Sequence, residues 1–138
     1  MEHAPFHMSL PCYSISKTRA FYADVIGAEI GRNSTRWLDV NLFGNQITFT
    51  KSGEFNFVFR TYKFGDTVLP SFHFGVIVDS DTWERMYKKL NTPDYELTTE
   101  VTFLKDKTGE HRSFFIQDPS GHSLEFKTFN DQSEMFAE

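Results

Sequence analysis

Cysteine is nearly absent: Cys12 is the only one in 138 residues. An intrachain disulfide is therefore excluded, and a reducing, cytoplasmic setting is the expectation. Long apolar runs are also missing, so no segment is expected to cross a bilayer. The start, Met1-Glu2-His3-Ala4-Pro5, lacks the basic stretch and apolar core of a secretion signal. Positive charge is scarce, with 14 Lys and Arg against 19 Asp and Glu and a net charge of -5. No basic cluster interrupts that balance, which argues against nucleic acid or an anionic membrane as a partner. A small molecule is the expected partner.

Phenylalanine, in contrast, is abundant, with 16 copies. That aromatic weight predicts a packed core with rings left over to line an apolar pocket. The length suits one domain, residues 1–138.

Within that domain one order of elements occurs twice. Residues 6–12 read as a strand, and Ser16 is placed to cap a helix carrying Ala20, Phe21, Val25 and Ala28, with Gly27 near its stop. Strands are expected over 28–32, 36–42 and 46–51, the last two joined by a turn at Phe43-Gly44-Asn45. After residue 70 the order returns. Ser71 to Asp79 reads as a strand, and Asp81 with Glu84 resembles a capping box. Trp83, Met86, Tyr87 and Leu90 form the apolar stripe of the helix that follows. Strands are expected over 97–105, 111–117 and 122–129, with a type I turn at Asp118-Pro119-Ser120-Gly121. The fold class is therefore α+β: two βαβββ modules, about 5–52 and 71–130, forming curved mixed sheets around a cleft. The connecting segment 53–70, rich in aromatics, is expected to be either an edge strand or flap over the pocket, or a linker that seals the core.

The repeat places two histidines in matched positions, in Phe6-His7-Met8 and Phe72-His73-Phe74. A glutamate lies in the final strand, in Gly121-His122-Ser123-Leu124-Glu125-Phe126. Side chains alternate across a strand. If the bulky sets face the helices, His7, His73 and Glu125 all point to the opposite, concave side. Two imidazoles and one carboxylate make a facial set that leaves coordination positions open on a divalent metal. Aligning the glycines of the two final strands matches Glu125 with Thr48. Ser9 shares the parity of His7, and Gln46, Thr48 and Thr50 share a face of their strand. His111 opens a strand from which it could reach a cavity as an acid or base, although a surface role is the ordinary reading. His122 has the helix-side parity and reads as structural, and Cys12 as a packing residue. Arg112 and Lys127 are candidate anion holders near the mouth, with Lys127 sharing the parity of Glu125.

These segments, together with Arg19-Ala20-Phe21-Tyr22, Val25-Ile26-Gly27 and Arg112-Ser113-Phe114-Phe115-Ile116-Gln117-Asp118-Pro119-Ser120-Gly121, resemble the vicinal oxygen chelate superfamily. That superfamily groups glyoxalase I, fosfomycin resistance enzymes, extradiol dioxygenases and bleomycin-binding proteins. The resemblance spans about residues 6–129. It implies that His7, His73 and Glu125 hold a divalent metal, Fe(II) ahead of Zn, Ni or Mn. Glyoxalase I has a fourth ligand, a glutamate, where this chain has Thr48, so the pattern is more like that of extradiol dioxygenases and fosfomycin-modifying enzymes. The implied function is a metal-dependent, dioxygenase-like enzyme acting on a small oxygen-bearing substrate. Glyoxalase-like lyase, fosfomycin-type transferase and non-catalytic drug binding are the alternatives. Such proteins often form homodimers. Ser9, Thr48 and His111 are the candidates for a catalytic role.

Overall fold

A computed structural model describes residues 3–138, the side chains of Thr98 and Thr99 excepted. The chain divides into two compact units. One comprises the chain up to Phe57 together with Asp118–Gly121, and the other Val58–Gln117 with His122–Glu138. Each is built on a βαβββ module, as the repeat predicts.

In the first unit, β1 (His7–Cys12) leads into α1 (Ile15–Ala20), a π-helical segment (Phe21–Ile26), β2 (Glu29–Asn33), β3 (Trp37–Leu42) and β4 (Asn45–Lys51). The helix is capped by Ser14, two residues before the expected Ser16. Ser14, in an extended conformation, accepts the Lys17 N–H at 3.2 Å, and its carbonyl accepts the Thr18 hydroxyl. Widening into the π-helical segment changes the phase of the helix. Its buried side chains are Thr18, Phe21, Tyr22 and Ile26, not the expected set with Ala20, Val25 and Ala28. Gly27 ends it in the left-handed conformation, φ 87°. The sheet order is β1-β4-β3-β2, with β1 parallel to β4 and the other pairs antiparallel. Leu38, Val40, Leu42, Ile47 and Phe49 are buried. A two-residue turn, Phe43 at φ 50° and Gly44 at φ 86°, joins β3 to β4. Positive φ at both positions is the hairpin geometry that matches strand twist.

The second unit opens with a hairpin, β5 (Thr61–Phe64) against β6 (Thr67–Pro70), which forms its own two-stranded sheet. Then come β7 (Phe74–Ile77), α2 (Ser80–Leu90), β8 (Leu97–Phe103), β9 (His111–Gln117) and β10 (Ser123–Phe129). Asp79 caps α2, its carboxylate accepting the Thr82 N–H at 2.7 Å. Asp81 instead lies in the first turn, where its charge favours the helix dipole. Trp83, Met86 and Leu90 are buried as their spacing predicts. The Trp83 indole donates to the Phe126 carbonyl at 2.9 Å, fastening the helix to the sheet. The sheet order is β7-β10-β9-β8, again with the outer first strand parallel to the last. No helix among the described residues is long and apolar enough to cross a membrane.

Candidate metal centre

In β10 the residues Leu124 and Phe126 are fully buried on the helix side, and Glu125 on the other side is only 7% exposed. Three groups approach its carboxylate. The Ser113 hydroxyl on β9 donates to Oε1 at 2.6 Å, Lys127 Nζ lies 3.6 Å from Oε1, and His73 Nε2 lies 3.3 Å from Oε2. Burial on its own pushes the Glu125 pKa up, but the bonds from His73 and Ser113 and the Lys127 charge outweigh it and hold it below the ordinary value. The hydrogen bond to Glu125 raises His73, overcoming the effect of burial.

His73 reaches this place because β7 and β10 run unusually close. Gly75 pairs with Glu125, and a Cβ at Gly75 would lie 2.0 Å from the Glu125 carbonyl oxygen. Only glycine fits there. His73 immediately precedes β7, and its Nδ1–H donates to the Pro70 carbonyl at 2.9 Å. That bond directs Nε2 toward Glu125, the arrangement that orients histidine ligands in metal sites.

Beside the pair is a cavity of about 260 Å³. The β5–β6 hairpin contributes Tyr62, Phe64 and Leu69 to its wall, and Phe64 meets Phe103 edge-on at 5.8 Å. The hairpin part of segment 53–70 thus supplies a wall of the pocket. His111 also lines it, with Nδ1 bonded to the Gly109 carbonyl and its ring between Phe103 and Phe129.

The other candidates lie on the first unit's sheet. His7 is exposed at the start of β1, its Nδ1 3.2 Å from the Gln46 carbonyl. His7 pairs with Gln46 and Ser9 with Thr48, so these side chains share one face. The Thr48 hydroxyl donates to Asp39 Oδ1 at 2.6 Å, and Gln46 Nε2 lies 3.3 Å from Oδ2. Asp39 is 7% exposed and has Arg32 Nε at 3.7 Å. Sequence reasoning missed this buried carboxylate, because alternation in β3 gives Asp39 the polar face without revealing that it is covered.

The structure therefore brings His73, Glu125 and His111 to one cavity, and His7, Ser9 and Thr48 to one sheet face. Among the described residues no three His, Cys, Asp or Glu side chains form a ready-made metal cluster. Arg112 is not an anion holder at the cavity: it bonds Glu84 at 2.7 Å and lies 4.3 Å from the Trp83 ring, on the helix side. His122 is fully buried near Phe74, and burial raises the pKa of the fully enclosed Cys12.

Residues 5–126 match the model of the glyoxalase/bleomycin resistance protein/dioxygenase superfamily. Among solved structures, a glyoxalase/bleomycin resistance protein/dioxygenase from Alicyclobacillus acidocaldarius is 22% identical with a TM-score of 0.80, the alignment covering 96% of each chain. The fosfomycin resistance protein FosX from Listeria monocytogenes is 19% identical with a TM-score of 0.72 over 100% of both chains. The virulence protein STM3117 from Salmonella typhimurium is 16% identical, TM-score 0.61, covering 94% of this chain and 98% of its own. At these identities the likeness is one of fold. No curated protein sequence matches the chain. The family match covers most of the chain, and with it the chain belongs to the vicinal oxygen chelate, or glyoxalase/bleomycin resistance protein/dioxygenase, superfamily.

Proposed function

We propose that the protein is a metal-dependent enzyme acting on a small oxygen-bearing substrate, with His7, His73 and Glu125 as the ligands of one divalent ion. The observation that carries this reading is His73 Nε2 facing Glu125 Oε2 at 3.3 Å. Two donors at this separation could both reach one divalent ion, which binds such groups at about 2.0–2.2 Å. The supporting bonds fit as well. Pro70 holds the His73 ring, Ser113 holds Glu125 Oε1 and leaves Oε2 for the ion, and the Gln46 carbonyl anchors His7 Nδ1.

When bound, the ion would supply Lewis acidity toward substrate oxygens and, as Fe(II), open positions for O2. His111 lines the cavity wall, from which it would exchange a proton with a bound substrate. Ser9 presents a hydroxyl on the face of His7. Thr48 commits its hydroxyl to Asp39 and would not serve as a fourth ligand, which supports dioxygenase-like over four-ligand glyoxalase chemistry. His7 would come from the same chain or from a second copy in a homodimer. Mixing His7→Ala and Glu125→Gln chains separates these: only a shared site regains metal binding on mixing.

The apolar cavity wall supports a second reading, sequestration of a drug-like molecule without catalysis. O2 uptake by anaerobically Fe(II)-loaded protein given catechols tests the first. Uptake coupled to ring cleavage supports oxygenase chemistry. Turnover of a hemithioacetal by Ni(II)-loaded protein, without O2 uptake, would replace it with lyase chemistry. Neither activity, with tight ligand binding retained, would favour sequestration.

A further inference from the structure

The cavity beside Glu125 is lined by two chemically different sets of side chains, and the contrast extends the metal-site reading on which it rests. One set is apolar: Phe64, Leu69, Phe103 and Phe115. The other is Glu125, His73 and Lys127. Among the described residues Lys127 is the one Lys or Arg lining the cavity, since Arg112 is held on the helix side by Glu84 and Trp83.

Lys127 is ion-paired with Glu125 but makes no hydrogen bond to it. Its Nζ lies 3.6 Å from Oε1, beyond hydrogen-bond length, and that oxygen already receives the Ser113 hydroxyl at 2.6 Å. An ammonium has three donors, and here they border an apolar space where a charge-assisted bond gains strength. The aromatic walls offer ring faces and edges, as in the edge-on contact of Phe64 with Phe103 and of His73 with Phe115. About 260 Å³ accommodates one or two fused rings.

We propose that this cavity takes an aromatic carboxylate, its ring against the β5–β6 hairpin and Phe103 and its carboxylate on Lys127. Lys127 then sets specificity for the anion, while the hairpin and β8–β9 set it for the ring.

The test uses the full chain, metal-free and again loaded with Ni(II), titrated with 2-naphthoate and with the isosteric 2-naphthamide by calorimetry. Wild type is expected to prefer the acid by about tenfold or more, the scale of one charge-assisted hydrogen bond. Lys127→Met should erase that preference and keep the ring affinity. Leu104→Trp, at a half-exposed position lining the cavity, should weaken acid and amide alike. Circular dichroism establishes that both variants fold. Equal affinity for acid and amide, an acid preference that survives Lys127→Met, or no binding in either metal state overturns the proposal. Metal uptake is measured separately: naphthoate binding without uptake would sink the metal reading alone, and uptake without naphthoate binding would sink this one alone.

Discussion

Each of the two four-stranded sheets buries a carboxylate and ties it to a hydroxyl at 2.6 Å, but the carboxylates occupy different strands. In the second unit Glu125 sits on β10, directly beside β7, the strand that His73 precedes. In the first, the matching position on β4 is Thr48, and the carboxylate is Asp39 on β3. Two interstrand spacings, about 10 Å, then separate the strand of Asp39 from that of His7, against one spacing of about 5 Å in the second unit. Moving the acid by a single strand decides whether a histidine meets it. The same scaffold thus yields a histidine–carboxylate pair in one half and, in the other, a histidine bonded to a backbone carbonyl instead.

The comparison breaks most severely at Gly75. Gly75→Ala forces a Cβ into the Glu125 backbone, and we expect a loss of about 3 kcal/mol in denaturant unfolding with the His73–Glu125 approach destroyed. Thr48→Glu makes the first sheet imitate the second, but it sets a new carboxylate against Asp39. It should cost about 2 kcal/mol, and Asp39→Asn in the same chain should recover most of that. An unchanged midpoint in the single variant would contradict the charge argument.

Tyr22 probes the first unit at high pH. Its hydroxyl donates to the buried Asp118 at 3.0 Å, and burial together with Asp118 raises its pKa well above the ordinary 10.0. The unfolded chain therefore ionises first, so stability is intact below pH 10 and falls as pH rises toward the folded value. Tyr22→Phe should cost about 1–2 kcal/mol at neutral pH and flatten the alkaline decline contributed by this residue. The smallest effect is expected at Phe43, held at φ 50° in the turn. Phe43→Asn should raise stability by about 0.5 kcal/mol, read as a small increase in melting temperature.

Much of this was legible because strand periodicity and turn chemistry are local. Gly27, Phe43-Gly44 and Asp118-Pro119-Ser120-Gly121 ended their elements as expected, the last with the Gly121 N–H bonded to the Asp118 carbonyl at 3.0 Å. Ser14 and Asp79 displaced the expected caps because capping depends on which residue is extended, and several nearby residues offered a suitable side chain. The π-helical segment could not be seen, since its apolar residues also satisfy an α-helical pattern. The pocket wall from β5–β6 and the burial of Asp39 are tertiary facts: alternation assigns a face, and only packing decides whether that face is covered.

Metal titration of the chelator-stripped full chain, wild type against Glu125→Gln, tests the central claim most directly. One divalent ion per chain in wild type, with affinity falling at least about tenfold in the variant, is the predicted result. Negligible binding by wild type, or equal binding by both, would contradict it.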